Sequence, residues 1–311
     1  MDVNKLEEEV YRTTLPEGIT AKVLREGMFV FDFSNWPPGR ALPEGGTPDF
    51  DALARVILKR AAVLNAHLAC LHTALSRLQN RALERMVVSP SDLISLKSLD
   101  DTGMSFGDNR VLALALARYP STYAPGVPAT LDWRIVHRSL IVEVETVAES
   151  FQLLSSILRS PDPDALFLTD LYLRSCKAHE DHNYSLSLVT AWTIAENLLH
   201  RLWRHYVGEN RLRQTADTKL VFINRDRRDK LMDSRHFGAS VISEILSLAD
   251  QLPFELYQKL SEARDARNRW LHELRPVSRD DGLRAVETAE QMLRMVDEID
   301  LKLSLVSRLH E

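Results

Sequence analysis

Close to the C-terminal end of the chain stand three side chains of complementary chemistry, Arg267, Asn268 and His272, within Arg267-Asn268-Arg269-Trp270-Leu271-His272. Histidine, with an ordinary pKa of about 6.5, takes or gives a proton near neutral pH. Arginine is permanently charged and forked, so it grips two phosphate oxygens and favours the added charge of a phosphoryl transition state. An amide such as Asn268 can position the phosphate or fix the imidazole. These types suit RNA cleavage without metal, in which the 2′-hydroxyl attacks the adjacent phosphate and a 5′-hydroxyl leaves. On an α-helix Asn268 and His272 are separated by about 40° and share a face, whereas Arg267 and His272 are about 140° apart. Bringing the latter two together needs a deformed helix, a long arginine reach, or a second copy of the chain; a two-fold dimer would gather both sets at one interface. The competing structural role has Arg267 paired with Glu262 or Glu196 and His272 capping the helix before Pro276.

The elements that must position these residues read as helices. Apolar spacing and flanking caps predict helices at about 164 to 178, 185 to 207, 238 to 250, 254 to 275 and 280 to 307, a helical bundle. Upstream, Thr47-Pro48-Asp49 signals a helix start, and Leu53, Ile57, Leu64, Leu68, Leu71, Leu75 and Leu78 predict a long helix with one buried face. Ser89-Pro90-Ser91-Asp92 restarts a helical pattern. Gly103, Gly107 and the stretch from Pro120 to Pro128 mark loops. From Thr130 to Leu158 the spacing favours a helix, with a strand over 139 to 144 as the alternative. Gly27-Met28-Phe29-Val30-Phe31-Asp32-Phe33 is β-prone, and a Pro/Gly-rich loop follows it from Pro37 to Pro48. The fold class is therefore predominantly all-α. A mainly helical N-terminal domain over residues 1 to 160 precedes a helical bundle over 161 to 311, divided at Ser160-Pro161-Asp162-Pro163-Asp164.

In its arrangement of Arg267, Asn268 and His272 near the end of a helix, the chain resembles HEPN domains, and specifically the ApeA-like HEPN group. The similarity is carried by Ser187-Leu188-Val189-Thr190-Ala191-Trp192-Thr193-Ile194-Ala195-Glu196-Asn197-Leu198-Leu199 and by the segment from Ala266 to Ser278, and it covers roughly residues 160 to 305. The resemblance implies an all-helical domain that dimerises and, in active members, cuts RNA without metal to leave a 2′,3′-cyclic phosphate. Many such proteins are toxins or phage-defence effectors, so RNA, a second copy of the chain and a regulatory or antitoxin protein are the implied partners. Other members of such a fold serve as non-catalytic binding modules. Glu196 falls where the family often carries a glutamate. Within an apolar run an ionised carboxylate needs a partner, and it either orients Arg267 or faces solvent on the far side of its helix.

A net charge of −5 over 311 residues means that nucleic-acid binding requires a local patch. One candidate is the stretch from 201 to 235, with ten Lys or Arg against five Asp or Glu; Arg225, Arg227, Arg228, Lys230 and Arg235 would contact RNA there. A solvated helix face laced with ion pairs is the other account. Cys176, His179 and His182 lack the second ligand pair of a closed zinc site and read as a polar helix end. With no nucleotide, zinc-protease or serine-hydrolase motif, no cofactor is expected. Two distant cysteines, no secretory signal and no apolar run of spanning length point to a cytoplasmic protein with no membrane association.

Overall fold

The computed structural model describes residues 8–25, 27–36, 50–81, 85–96, 113–115, 142–214 and 219–303. The chain is predominantly helical and divides into two compact units, one of residues 1–173 with 302–306 and one of 174–301 with 307–311. None of the described helices is long and apolar enough to cross a membrane. The expected helix start at Thr47, the loop from Pro37 to Pro48, the loops around Gly103, Gly107 and Pro120 to Pro128, and the helix start at Thr130 lie outside the described residues.

The first unit contains more β-structure than its sequence suggests. Strands β1 (Glu9–Thr14), β2 (Thr20–Leu24), β3 (Phe29–Asp32), β4 (Ile94–Leu96) and β5 (Ala113–Ala115) form one antiparallel sheet in the order β1-β2-β3-β5-β4. The β-prone segment is thus a central strand with partners on both sides. Gly27, at φ 90°, makes the β2–β3 turn in a region that other residues enter at a steric cost. The helical pattern expected to restart at Ser89 is corrected to a single 3-10 turn, Pro90–Asp92, leading into β4. Ser89 Oγ and N–H both donate to Asp92, so the capping chemistry is present, but the chain leaves the turn as strand β4, paired with β5.

Helix α1 (Phe50–Gln79) forms the centre of this unit and packs on α2 (Val144–Leu158). Instead of burying one face, α1 is buried around its whole circumference from Arg60 to Leu75. The polar side chains caught there are bonded. Asn65 donates to Asp170 Oδ1 at 2.7 Å and to Val88 O at 3.0 Å, and accepts from Val88 N–H at 2.7 Å. His67 sits among Phe29, Phe31 and Phe151, its ring stacked on Phe151 at 4.3 Å. The Ser150 hydroxyl gives its proton to Val147 O, so it accepts from His67 Nε2–H, 3.1 Å away. His67 is therefore the neutral tautomer, with Nδ1 buried and without a partner. A charge on that ring would face only aromatic carbon.

The chain from α3 onward follows the expected bundle closely: α3 (Ala165–Glu180), α4 (Tyr184–Glu209), α6 (Ala239–Leu248), α7 (Phe254–Glu273) and α8 (Arg279–Asp297). The break at Ser160 to Asp164 is a turn between α2 and α3, and the units divide further on, at Leu173 and Arg174 within α3. Helix α8 ends well before residue 307. Glu298 adopts a left-handed conformation, φ 56°, and Ile299, Leu301 and Leu303 are buried at every second position. That period of two belongs to extended chain, not to a helix. Two further elements lie between α4 and α6: the hairpin β6 (Leu212–Gln214) with β7 (Lys219–Val221), and α5 (Arg225–Leu231).

The buried imidazoles make stability depend on pH. Burial lowers the His67 and His72 pKa values from 6.5 to about 3, with Arg85 adding to the effect on His72. The unfolded chain protonates both histidines below about 6.5 and the folded chain does not, so stability falls with falling pH by ~1.4 kcal/mol per pH unit per histidine. Urea midpoints between about pH 7 and 5 should show this slope, and His67→Phe should reduce it by one histidine's share. Parallel slopes for the two proteins would rule out the neutral buried His67.

Candidate active site

Helix α4 organises the second unit. Asn183 caps it by accepting from Leu186 N–H at 3.2 Å, and Leu188, Ala191, Trp192, Ala195, Leu198, Leu199 and Trp203 form its buried stripe. This stripe packs on α7 and α8, which also pack on each other. On the α8 side a Ser278–Asp281 capping box starts the helix, and Ala285, Val286, Ala289, Met292 and Leu293 are buried. An ion pair with its carboxylate in the interior links the two ends. Arg201 Nη1 donates to Asp297 Oδ1 at 2.7 Å, with side-chain exposures of 19% and 4%. Nothing local in the sequence marks this pair, since 96 residues separate its members.

Helix α7 carries the candidate residues. Its buried stripe is Leu256, Leu260, Ala263 and Ala266. Arg267 stands seven residues beyond Leu260, only about 20° from it around the axis, so it continues the buried side and is half-buried. Asn268 is half-buried on the flank, and His272 is exposed in the last turn. Leu274 ends the helix with φ 51° and ψ 28°, donating its N–H to Trp270 O at 3.1 Å. The structure joins two of the three predicted residues directly, since Arg267 Nη1 donates to Asn268 Oδ1 at 3.0 Å. Asn268 thus orients the guanidinium and makes no hydrogen bond to His272. His272 has no hydrogen-bond or ionic partner among the described residues, so the imidazole is open to solvent.

Neither carboxylate considered for Arg267 reaches it. Glu262 pairs with Arg284 at 2.9 Å. Glu196, half-buried, accepts instead from Trp192 Nε1–H at 3.1 Å, so the expected support of Arg267 by Glu196 is corrected: an indole one turn back on the same helix takes the carboxylate first. Arg267 consequently has no anionic partner among the described residues. A guanidinium held by a neutral amide, half-buried and unneutralised, is suited to receiving an anion from outside.

The basic segment is resolved into distinct roles. Arg225, Arg227, Arg228 and Lys230 lie on α5, every residue of which is exposed from Arg225 to Lys230. Arg235 is not on that helix. It forms a two-pronged pair with Asp233, whose carboxyl it holds down at about 2. Arg201 serves the bundle interior, as described above. The Cys176, His179 and His182 group disperses: Cys176 is buried, His179 Nε2 bonds to Arg279 O at 3.2 Å, and His182 is exposed with Nδ1 on the Tyr184 hydroxyl. Among the described residues no cluster of His, Cys, Asp and Glu has the makings of a metal site. No protein-family model, curated protein or solved structure matches the chain.

Because Asp297 is nearly inaccessible, removing its cation leaves a buried charge. Arg201→Met should lower unfolding free energy by about 3 kcal/mol in urea titrations, and adding Asp297→Leu should recover most of the loss. A loss below about 0.5 kcal/mol would place the pair with ordinary surface ion pairs.

Proposed function

We propose that the C-terminal unit is a metal-independent endoribonuclease of HEPN type, working as a homodimer in the cytoplasm. The observation that carries this reading is the end of α7: Arg267 is held by Asn268 without an acidic partner, and His272 stands exposed one turn further on. The resemblance of these residues and of the α4 sequence to ApeA-like HEPN domains supports the same assignment.

In the proposed reaction an imidazole takes the proton of a ribose 2′-hydroxyl, whose oxygen attacks the adjacent phosphorus. The bond from phosphorus to the 5′ oxygen breaks, and that oxygen leaves with a proton, giving a 2′,3′-cyclic phosphate and a 5′-hydroxyl. Arg267 stabilises the extra charge on the phosphoryl oxygens in the transition state. One His272 cannot face its own Arg267 on a regular helix, the two being about 140° apart. A two-fold axis beside the end of α7 supplies two imidazoles, one as base and one as acid, and an Arg267 from each chain.

The surface around His272 favours such an interface. Leu271 and Leu274 are 45% and 74% exposed. Leu274 also holds a left-handed backbone, a conformation in which a leucine is unfavourable and glycine or asparagine usual. A second chain packed against this end of α7 would take both leucines out of water.

In the presence of EDTA the wild-type protein should cut single-stranded RNA. His272→Ala and Arg267→Ala should each slow cleavage at least 100-fold, roughly the scale of a lost acid–base group or oxyanion donor, with the His272 variant's melting temperature unchanged. RNA bound but never cut by all three proteins would make the unit a non-catalytic binding module. In sedimentation equilibrium, Leu274→Gly should weaken dimerisation about tenfold or more, as expected for losing one buried leucine, while the monomer fold tolerates glycine at that φ. A wild-type protein that stays monomeric at about 50 μM would remove the composite site.

A further inference from the structure

Between α4 and α6 the chain builds an arm, the β6–β7 hairpin followed by the short helix α5. The hairpin carries an exposed cross-strand pair, Leu212 and Val221, and is closed against its stem by Phe222 and Ile223 N–H groups donated to Arg211 O at 2.9 and 3.2 Å. Asn224 then caps α5 by accepting from Arg227 N–H at 2.9 Å. At its far end α5 is tied down by Trp203 of α4, whose indole N–H donates to Leu231 O at 2.9 Å. Trp203 is itself stacked between Tyr206 and Phe237, at 5.9 and 5.6 Å. The arm is thus fixed at both ends while its outer residues stay in solvent.

Its charges are segregated. Taking Arg225 as the origin, Asp229 and Asp226 fall at about 40° and 100°, whereas Lys230, Arg227 and Arg228 fall at about 140°, 200° and 300°. Among the described residues Arg228 and Lys230 form no ion pair, although Asp226 lies one turn from Lys230; elsewhere in the unit Lys177, Arg235, Arg264, Arg275 and Arg284 each hold a carboxylate. Arg227 lies over the Phe222 ring, its guanidinium carbon 4.2 Å from the centroid, and Nη1 donates to Phe222 O at 3.1 Å. The guanidinium is therefore held flat, and Arg227 is exposed.

We propose that this arm is an RNA-holding subsite crossed by the strand, in which the Arg227–Phe222 stack receives an unpaired base while Lys230 and Arg228, about 60° and 100° to either side of Arg227 around α5, grip the flanking phosphates. Planar stacking on a guanidinium suits a nucleobase, and a helix with its side chains is about 10 to 12 Å across, a width that a single strand of a few nucleotides can cross. An acidic protein would use the charges but has no use for the stack. The inference rests on the ribonuclease reading for its choice of RNA, and it assigns to residues outside the α7 site the task of holding the strand.

The test uses the full chain and a short fluorescent single-stranded RNA with every 2′ position O-methylated, so that binding is read without cleavage. Arg228→Ala/Lys230→Ala should weaken binding about tenfold and reduce the slope of log affinity against log salt by about 1.4, two phosphate contacts at ~0.7 each. Arg227→Lys keeps the charge and loses the stack, so it should weaken RNA binding severalfold with the slope unchanged, and leave binding of inorganic polyphosphate as in the wild type. Unchanged RNA affinity and slope in the double variant would overturn the proposal, as would tighter binding of polyglutamate than of RNA by the wild type. Cleavage of unmodified RNA separates the two readings. If His272→Ala abolishes cleavage but the arm variants bind RNA normally, the arm alone is wrong; if the arm variants lose RNA that the wild type binds but never cuts, the catalytic assignment alone is wrong.

Discussion

Burial of one side of α4 is the constraint on which the C-terminal unit depends. Its stripe from Leu188 to Trp203 must leave water, and α6, α7 and α8 pack against the helix that carries it. Each fully buried leucine in the stripe contributes about 2 kcal/mol, so the packed helices stand or fall together. The functional features hang from this packing. Against α4, α7 can bury Leu256, Leu260, Ala263 and Ala266 only in one rotation, and that rotation leaves Arg267 at the edge of the core and His272 in solvent. The two tryptophans of α4 extend the constraint through their N–H groups, which cannot be buried unpaired. Trp203 anchors α5 through Leu231 O, and Trp192 draws Glu196 away from the α7 arginine.

The N-terminal unit meets a different demand. A helix buried all round has no polar face, yet α1 carries Arg60, Asn65, His67, His72 and Thr73 within its buried stretch. Asn65 answers this by joining Val88 and Asp170, and Thr73 by donating to Ala69 O and accepting from Lys302 N–H. His67 answers it by staying neutral. Such groups make a core specific, because any other arrangement of the strands and helices around α1 would leave them without partners.

At the candidate site, the electrostatic arrangement matters more than the sequence match. Arginines that serve structure here are neutralised, Arg201 by Asp297 and Arg284 by Glu262. Arg267 is bonded to an amide, which directs a guanidinium without cancelling its charge. A cation kept in that state at the edge of a core is stabilised further by an arriving anion.

Much of the bundle was legible from spacing alone. Apolar residues every three or four positions place α3, α4, α6 and α7 to within a few residues, because a helix closes its hydrogen bonds locally and its buried face depends only on its own period. The same geometry separates Arg267 from His272, but the shared face it gives Asn268 and His272 is not used: Asn268 bonds to Arg267 instead. What spacing cannot carry is the choice among distant partners. Whether Arg201 was a surface cation or the mate of Asp297, whether Glu196 would meet Arg267 or Trp192, and whether α1 would bury one face or all of them depended on elements far along the chain. The extended run from Ile299 to Leu303 and the strand after Ser89 show the same limit: their apolar residues fit a helix locally, and burial decided otherwise for the first and pairing with β5 for the second. The residues of the candidate site were thus determined by the sequence, while their charge state, exposure and neighbours were decided by tertiary structure, because desolvation and ion pairing are properties of what surrounds a side chain and not of its place in the chain.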